Sequence, residues 1–138
     1  MDISKTPQFH LYLLTLHLLS MYNLLLPKNC NWRCVDSSII NRAYYSSFLY
    51  CSLWLEKTHN FKIKHPWEFK KGEQIIGEHK QVRDALIDFG EDDINKKLYK
   101  LGKLRNKADY LPNTKLNPID LNNAIDNMKF IFNHLQFK

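Results

Sequence analysis

The segment with the clearest chemical potential is 104–112, which reads Leu-Arg-Asn-Lys-Ala-Asp-Tyr-Leu-Pro. Arg105 follows Leu101 at helical spacing, so the pattern turns its guanidinium toward the packed side of a helix. An inward arginine needs a carboxylate, a phosphate or a second subunit as its partner, because an unpaired buried charge is costly. Within this chain, the candidate carboxylates are those of Asp109 and Asp36.

His79 is the second residue whose chemistry stands out. Arginine stays protonated, so it can bind an anion but cannot act as a base. Histidine exchanges protons near neutral pH. Either His79 is a general base, or it is a histidine at a helix start that faces solvent; the sequence leaves both readings open.

Other kinds of site lack their sequence signals. The chain has no glycine-rich phosphate loop, no Gly-x-Ser-x-Gly elbow and no His-Glu-x-x-His helix. Its three cysteines, Cys30, Cys34 and Cys51, match no zinc spacing. Their odd number favours a reducing compartment. We therefore expect no metal, no cofactor and a cytoplasmic location.

The charge balance favours acidic partners. A net charge of +6 suits nucleic acid binding, although many basic proteins carry such a charge without binding nucleic acid. Lysines gather at 96–107, where they either follow a phosphate backbone or form a solvated helix face. The 60–77 segment adds four more lysines and Trp67. Trp67 either stacks on a base or plugs the protein interior.

The hydrophobic pattern predicts five helices and no convincing strand. The predicted helices cover 7–26, 36–58 and 78–89, with a fourth that begins at 92–93 and a fifth that begins at 118. The leucine-rich stretch within the first is too short and too polar to span a bilayer, so it is read as a buried helix. We therefore predict an all-α protein of one domain, residues 1–138, folded as an antiparallel up-and-down bundle of four to five helices.

Several boundaries have local signals. Asn117 is expected to cap the fifth helix, and Asp36 or Ser37 to cap the second. Gly90 closes the third helix, and Pro27 ends the first. One side of the second helix carries residues that we expect to be packed, several of them small: Ala43, Ser47, Cys51 and Trp54.

Three blocks of the chain resemble the HEPN family, especially the small HEPN proteins that pair with minimal nucleotidyltransferases. Asn-Arg-Ala-Tyr-Tyr-Ser-Ser-Phe at 41–48 resembles the second helix of that family. Gly-Glu-His-Lys-Gln-Val-Arg at 77–83 resembles its central His-Lys patch, and Leu-Arg-Asn-Lys-Ala-Asp-Tyr at 104–110 resembles its "LRxxADY" segment. The blocks keep the family's order and spacing over roughly 35–135.

The resemblance implies a four- or five-helix bundle that dimerises and places its motif segments in one cleft. Many HEPN domains are metal-independent ribonucleases, often toxins or antiviral defence proteins, with an Arg-x4–6-His motif. The motif's Arg and Asn match Arg105 and Asn106, whereas Tyr110 stands where the histidine is expected. Tyrosine has an ordinary pKa near 10, so it is a poor base at neutral pH. Metal-free cleavage of RNA requires a base for the 2′-hydroxyl and a cation for the phosphate. Either another residue supplies the base, with His79 as the candidate because it lies in the family-like patch, or the chain does not cleave RNA in this way.

The expected catalytic set is Arg105, Asn106, Asp109, Tyr110 and His79. The expected contacts to RNA or phosphate are Arg42, Tyr45, Lys80, Lys103 and Lys107. Arg42 and Tyr45 join this cleft if the second and fourth helices are neighbours. Otherwise the Tyr44-Tyr45 pair belongs to the core and Arg42 forms an ion pair at its edge. Tyr110 is also a weaker candidate for nucleotidylation by the partner enzyme.

Two functions from different classes follow. The first is a HEPN ribonuclease or toxin that acts on RNA as a homodimer. The second is a non-catalytic HEPN module that binds nucleotide or RNA, or docks a nucleotidyltransferase or defence partner. Retention of Arg105 and Asn106 favours the first, and the missing histidine at Tyr110 favours the second. A purely structural helical adaptor is the third reading.

Overall fold

The computed structural model describes residues 2–21 and 32–137. Over these ranges the chain forms five α-helices, two short 3-10 turns and no strand. The helices are α1 Pro7–Ser20, α2 Trp32–His59, α3 Glu78–Asp88, α4 Asp92–Tyr110 and α5 Pro118–His134. The predicted all-α helical bundle is therefore confirmed. Within the same ranges, no helix combines the length and apolarity needed to cross a membrane.

Helix α4 packs most extensively against α2 and α5, and it runs antiparallel to both. Arg33, at the start of α2, reaches the carbonyl of Ala108 near the end of α4. On the other side, Lys107 pairs with Asp120 at the start of α5. Helix α4 therefore lies between the two, and its two sides face different partners.

Helices α2 and α3 run in the same direction. Tyr44, halfway along α2, contacts His79 in the first turn of α3, and His59 at the end of α2 stacks on Phe89 at the end of α3. The long connecting segment 60–77 makes this possible. From the end of α2 it runs back past α3, with Lys64 beside Gln81, before the chain enters α3. As a result, the first turn of α3 lies beside the middle of α2.

The centre of the core lies between α2 and α5. The ring of Tyr50 stacks on Phe132 with centroids 4.1 Å apart, and its hydroxyl donates to the carbonyl of Leu135 at 2.6 Å. Trp54 Nε1 donates to the carbonyl of Gln136. Burying such aromatic surface stabilises the fold, and the Tyr50 hydroxyl and the Trp54 N–H each have an acceptor, which avoids the cost of an unmade hydrogen bond.

The predicted start of α2 was wrong. The helix spans Trp32–His59, so Asp36 and Ser37 lie inside it and neither is its cap. Ser37 Oγ instead donates to the carbonyl of Ala108 at 2.8 Å. This serine, which resembles a cap by sequence, instead donates a hydrogen bond to a backbone carbonyl of another helix. The last turn of α4 has carbonyls without partners within the helix, and one of them lies beside Ser37.

Other boundaries were predicted correctly. Asn117 Oδ1 accepts the backbone N–H of Asp120 at 2.9 Å, and Asp120 returns the bond in a capping box. Gly90 follows α3 with φ +83°, a left-handed conformation that favours glycine. Helix α1 ends at Ser20. Its predicted continuation over 22–26 and its stop at Pro27 lie outside the described residues.

Candidate functional site

Arg105 is the centre of the candidate site. Its Nε donates to Asp109 Oδ2 at 3.0 Å, and one terminal nitrogen, Nη2, donates to the hydroxyls of Tyr45 at 2.9 Å and Tyr110 at 3.0 Å. Only 17% of its side chain is exposed. The other terminal nitrogen, Nη1, has no hydrogen-bond partner among the residues that the structure describes. The guanidinium is thus held rigidly, with donor capacity left for a ligand.

Three tyrosine rings lie close to the guanidinium group of Arg105. The guanidinium carbon lies 4.9 Å from the ring centre of Tyr110, 5.3 Å from that of Tyr45 and 5.8 Å from that of Tyr44. Such distances give cation–π attraction, which is stronger where water is displaced. Tyr110 itself is 63% exposed. It therefore forms the outer wall of the site rather than part of the core.

Asp109 is fixed from two sides. The same Oδ2 that accepts from Arg105 also accepts from Asn41 Nδ2 at 2.7 Å. Arg105 and Asp109 are one helical turn apart on α4, while Asn41 comes from α2. Of the two carboxylates that the sequence offered to Arg105, the structure selects Asp109.

Arg33 holds the end of α4 in place. Its guanidinium donates to the carbonyls of Lys107, Ala108, Leu111 and Thr114 at 2.7–3.2 Å. A cation at a helix C-terminus satisfies free carbonyls and complements the helix dipole. Because Arg105 to Tyr110 form the last turns of α4, this contact also fixes the site.

His79 faces the interior rather than solvent. Its Nδ1 lies 2.7 Å from the hydroxyl of Tyr44, and its ring packs 4.4 Å from that of Phe48. Burial lowers the pKa of His79 below its usual 6.5, and the charges of Arg105 and Arg83 lower it further, while Glu78 opposes them. The imidazole is therefore neutral at pH 7, which is the form that accepts a proton.

Tyr44 keeps its proton beside His79. Burial raises the pKa of its hydroxyl to about 12, although the nearby Arg105 charge opposes the rise. A neutral tyrosine hydroxyl both donates and accepts. If Nδ1–H of His79 donates to it, Nε2 carries the lone pair of a base. If Tyr44 donates to Nδ1, Nε2–H becomes a donor to an anion.

Arg105 and His79 line one cleft between α2, α3 and α4, with a cavity volume of about 180 Å³. Asn106 and Lys103 line it from α4, and Arg83 lines it from α3. Three of these five side chains are cationic at neutral pH. The cleft therefore combines a positive field with a neutral imidazole, an arrangement suited to a phosphodiester.

Tyr99 supports the cationic rim of the cleft. Its ring lies between two cations, with the guanidinium carbon of Arg83 at 5.2 Å and Lys103 Nζ at 4.6 Å from its centre. Sequence reasoning missed Tyr99 and Arg83 as site residues and treated Tyr44 as core. The spacing of Tyr99 and Lys103, four apart on α4, was the one signal that pointed to this contact.

Arg42 lies outside this cleft. It lines a second cavity of about 200 Å³ with Ser37, Ser38, Asn41 and Asp109. Its Nε is buried and has no hydrogen-bond partner among the described residues. Among the described residues, Arg42 forms none of the ion pairs that the alternative expectation called for. Asp109 lines this cavity and also binds Arg105, so the two sites share one carboxylate.

Two more of the predicted phosphate contacts lie outside the cleft, as Arg42 does. Lys107 Nζ pairs with Asp120 Oδ2 at 2.7 Å, on the side of α4 that faces α5. Lys80 pairs with Asp84 one turn along the exposed side of α3. Lys103 does line the cleft, and Tyr45 contacts Arg105 without lining it. Among the described residues, no group of three or more histidines, cysteines or acidic residues is close enough to hold a metal ion.

Comparison with known proteins finds no matching family model, no similar curated protein and no similar solved structure. The HEPN resemblance therefore remains a prediction from the three sequence blocks.

Proposed function

We propose that this chain is a HEPN-type domain that cleaves RNA without a metal ion, with Arg105 and His79 as its central residues. The observation that carries the proposal is their convergence. A neutral histidine from α3 and a rigid arginine from α4 line one cleft although they are 26 positions apart in the chain. The partners of Arg105 come from α2 and α4, which hold the guanidinium before any ligand arrives.

The proposed reaction is a transesterification. His79 Nε2 takes the proton of the 2′-hydroxyl, and the 2′-oxygen forms a new bond to phosphorus as the bond from phosphorus to the 5′-oxygen breaks. Water, which reaches the open cleft, gives the leaving 5′-oxygen its proton. Arg105 Nη1 and Lys103 stabilise the charge on the phosphoryl oxygens. The products are a 2′,3′-cyclic phosphate and a free 5′-hydroxyl.

Tyr44 is a positioning residue in this scheme, because its hydroxyl fixes the His79 ring. The Tyr44→Phe variant keeps the aromatic packing and loses that bond. We expect its kcat to fall by about tenfold or more while KM for RNA stays near that of the wild type. A purely structural role would instead change stability and leave kcat unaffected.

The decisive experiment incubates the purified chain with RNA in buffer that contains a chelator, and follows both cleavage and the cyclic phosphate end. His79→Ala should lose about 10²–10⁴-fold in rate, as expected for loss of a base. Arg105→Ala should lose a comparable factor, since the phosphate charge is then unpaired. DNA of the same sequence should remain intact because it lacks the 2′-hydroxyl.

Matched controls are available on α5 and α4. His134→Ala removes a histidine that pairs with Glu91 away from the cleft, and Lys96→Ala removes a lysine at the exposed start of α4. Both variants should cleave as the wild type does. An intact RNA substrate with the wild-type protein, or equal rates for His79→Ala and His134→Ala, would reject the ribonuclease.

A second candidate is a non-catalytic HEPN module that binds RNA or nucleotide. The arrangement at Arg105 favours it, because Asp109 already neutralises much of the guanidinium charge and Tyr110 replaces the expected histidine. In that case Arg105→Ala weakens nucleotide or RNA binding, and neither form cleaves. The proposed homodimer, the nucleotidyltransferase partner, and the toxin or defence role belong to both candidates. Sedimentation of the purified chain and growth arrest on expression test them.

A further inference from the structure

The segment between α2 and α3 carries the most exposed large hydrophobic side chain that the structure describes. Trp67 is 78% exposed, at the middle of a short 3-10 turn, Pro66–Glu68. The side chain therefore presents a large, flat apolar ring to water, where a ligand that stacks on aromatic rings can reach it.

The indole of Trp67 is ordered before any partner arrives. The ring of His65 stacks on it with centroids 4.6 Å apart and planes inclined by 15°. The turn below is fixed by a hydrogen bond from the backbone N–H of His65 to Glu68 Oε2 at 2.6 Å, and by the restricted φ of Pro66. One face of the indole is thus covered, and the exposed fraction leaves the other face accessible.

This aromatic pair lies next to the start of α3. Lys64 exchanges two hydrogen bonds with the side chain of Gln81, at 2.7 and 2.8 Å. His65 Nδ1 lies 3.5 Å from Glu78 Oε1. Glu78 immediately precedes His79, so the stacked pair is anchored to the same helical turn that supplies the proposed base.

The charges of the segment favour a polyanion. Both of its carboxylates are engaged internally: Glu68 accepts from the backbone of His65, and Glu73 accepts from Lys64 and from the backbone of Lys70. The exposed side chains of Lys62, Lys70 and Lys71 have no carboxylate partner among the described residues. A flat, open aromatic face with unpaired lysines beside it matches the way proteins bind single-stranded nucleic acid.

We infer that the His65–Trp67 pair is a stacking platform for an unpaired base of single-stranded RNA, in the same strand whose phosphate lies at Arg105. The inference rests on the proposed function for the position of that phosphate, and it adds the class of substrate: a single strand with an accessible base, rather than a duplex. A stack of this kind is tolerant of base identity, because every base offers a flat face.

The test uses the full chain and a 2′-O-methyl oligoribonucleotide of about eight nucleotides, which cannot undergo the proposed cleavage. Binding should quench tryptophan emission in the wild type, and this quenching should disappear in Trp67→Phe. Trp67→Ala should weaken binding by about tenfold, and Trp67→Phe by about threefold or less. Ile75→Ala, which removes another exposed apolar side chain of the same segment, is the matched control and should bind as the wild type does.

An abasic strand with the same number of phosphates separates stacking from charge. Trp67→Ala should leave its affinity unchanged, since the variant alters no charge. The Lys70→Ala/Lys71→Ala variant should weaken both strands and reduce the salt dependence of binding. Equal losses on the normal and abasic strands in Trp67→Ala, or no loss on either, would overturn the stacking inference. Emission that responds to anionic phospholipid vesicles but not to RNA would overturn it as well.

The same variants distinguish this inference from the ribonuclease. If Arg105→Ala abolishes cleavage while Trp67→Ala cleaves with an unchanged KM, the platform is wrong and the ribonuclease stands. If Trp67→Ala weakens binding but the wild type never cleaves, the platform stands and the ribonuclease is wrong.

Discussion

Helix α2 has two faces that serve different purposes. Toward α5 it presents Tyr50 and Ser46, and their neighbours on α5, Phe132 and Met128, leave little room for water. Toward α3 and α4 the same helix presents three polar side chains, Asn41, Tyr44 and Tyr45. These bind Asp109, His79 and Arg105 respectively.

The difference shows how one helix can stabilise the core on one side and position the residues of a functional site on the other. The α5 face obtains its free energy from apolar burial, which depends on volume and not on direction. The opposite face forms directional hydrogen bonds around charges, which contribute less net stability but fix atoms within fractions of an ångström. Substitutions on the first face should therefore change the free energy of unfolding most, and those on the second should change binding and catalysis.

The largest effect on stability is expected from Ile131→Ala on α5. Ile131 is completely buried, so its loss leaves a cavity and should reduce the free energy of unfolding by about 2–5 kcal/mol in urea titrations. Ile119→Ala, at a position of the same helix that is 67% exposed, should change it by about 0.5 kcal/mol or less. Equal effects at the two positions would contradict the described packing of α5.

A smaller loss is expected from Arg33→Ala. The variant removes the donors that satisfy carbonyls at the end of α4 and should reduce the free energy of unfolding by about 1–3 kcal/mol. Hydrogen exchange should accelerate first at the end of α4, which carries Arg105. Lys100→Ala, at an exposed position of α4, is the control. Unchanged exchange near Arg105 in Arg33→Ala would mean that the contact does not hold the site.

Gly102→Ala should have a smaller effect, in the opposite direction. A Cβ at this position would lie 3.5 Å from Tyr44 Cε2, an ordinary contact distance. Alanine is favoured over glycine in a helix, so the free energy of unfolding should rise by about 1 kcal/mol. A decrease in the free energy of unfolding would show that the Tyr44 ring cannot shift to accept the methyl group. Tyr44 would then be packed as tightly as a core residue.

The smallest effect concerns pH. Burial holds the pKa of His79 below its usual 6.5 in the folded chain, so the unfolded chain binds more protons between the two values. Stability contributed by neutral His79 is therefore present above the unfolded pKa of 6.5 and is lost as pH falls toward the folded pKa. Urea titrations at neutral and mildly acidic pH should show this loss in the wild type. It should be smaller in His79→Gln and unchanged in His134→Gln.

Local signals in the sequence were sufficient for most of the fold. The cap of α5 at Asn117 and the stop of α3 at Gly90 each depend on residues a few positions apart, and both were predicted correctly. The start of α2 was not, because Ser37 has the side chain of a cap and its actual partner, Ala108, lies 71 positions away. No local pattern contains that information.

The contacts of the site also divide into those that local sequence predicts and those that join distant parts of the chain. Helical spacing placed Arg105 inward and offered Asp109 as its partner, and this ion pair is one turn long. The contacts of Arg105 with Tyr45 and of His79 with Tyr44 join separate helices, so the sequence offered them only as open alternatives. Likewise, it left Trp67 undecided between a plug and an exposed ring, because exposure depends on what the rest of the chain covers.

The sequence by itself therefore determined the helices, their apolar sides and the inward turn of Arg105, since periodicity and capping act within a few residues. Only the tertiary structure decided that α3 returns alongside α2, which brings His79 next to Tyr44 and into the cleft of Arg105. It also left Trp67 exposed to solvent. Those outcomes depend on how a long connecting segment folds back, and such closure is governed by contacts between distant residues.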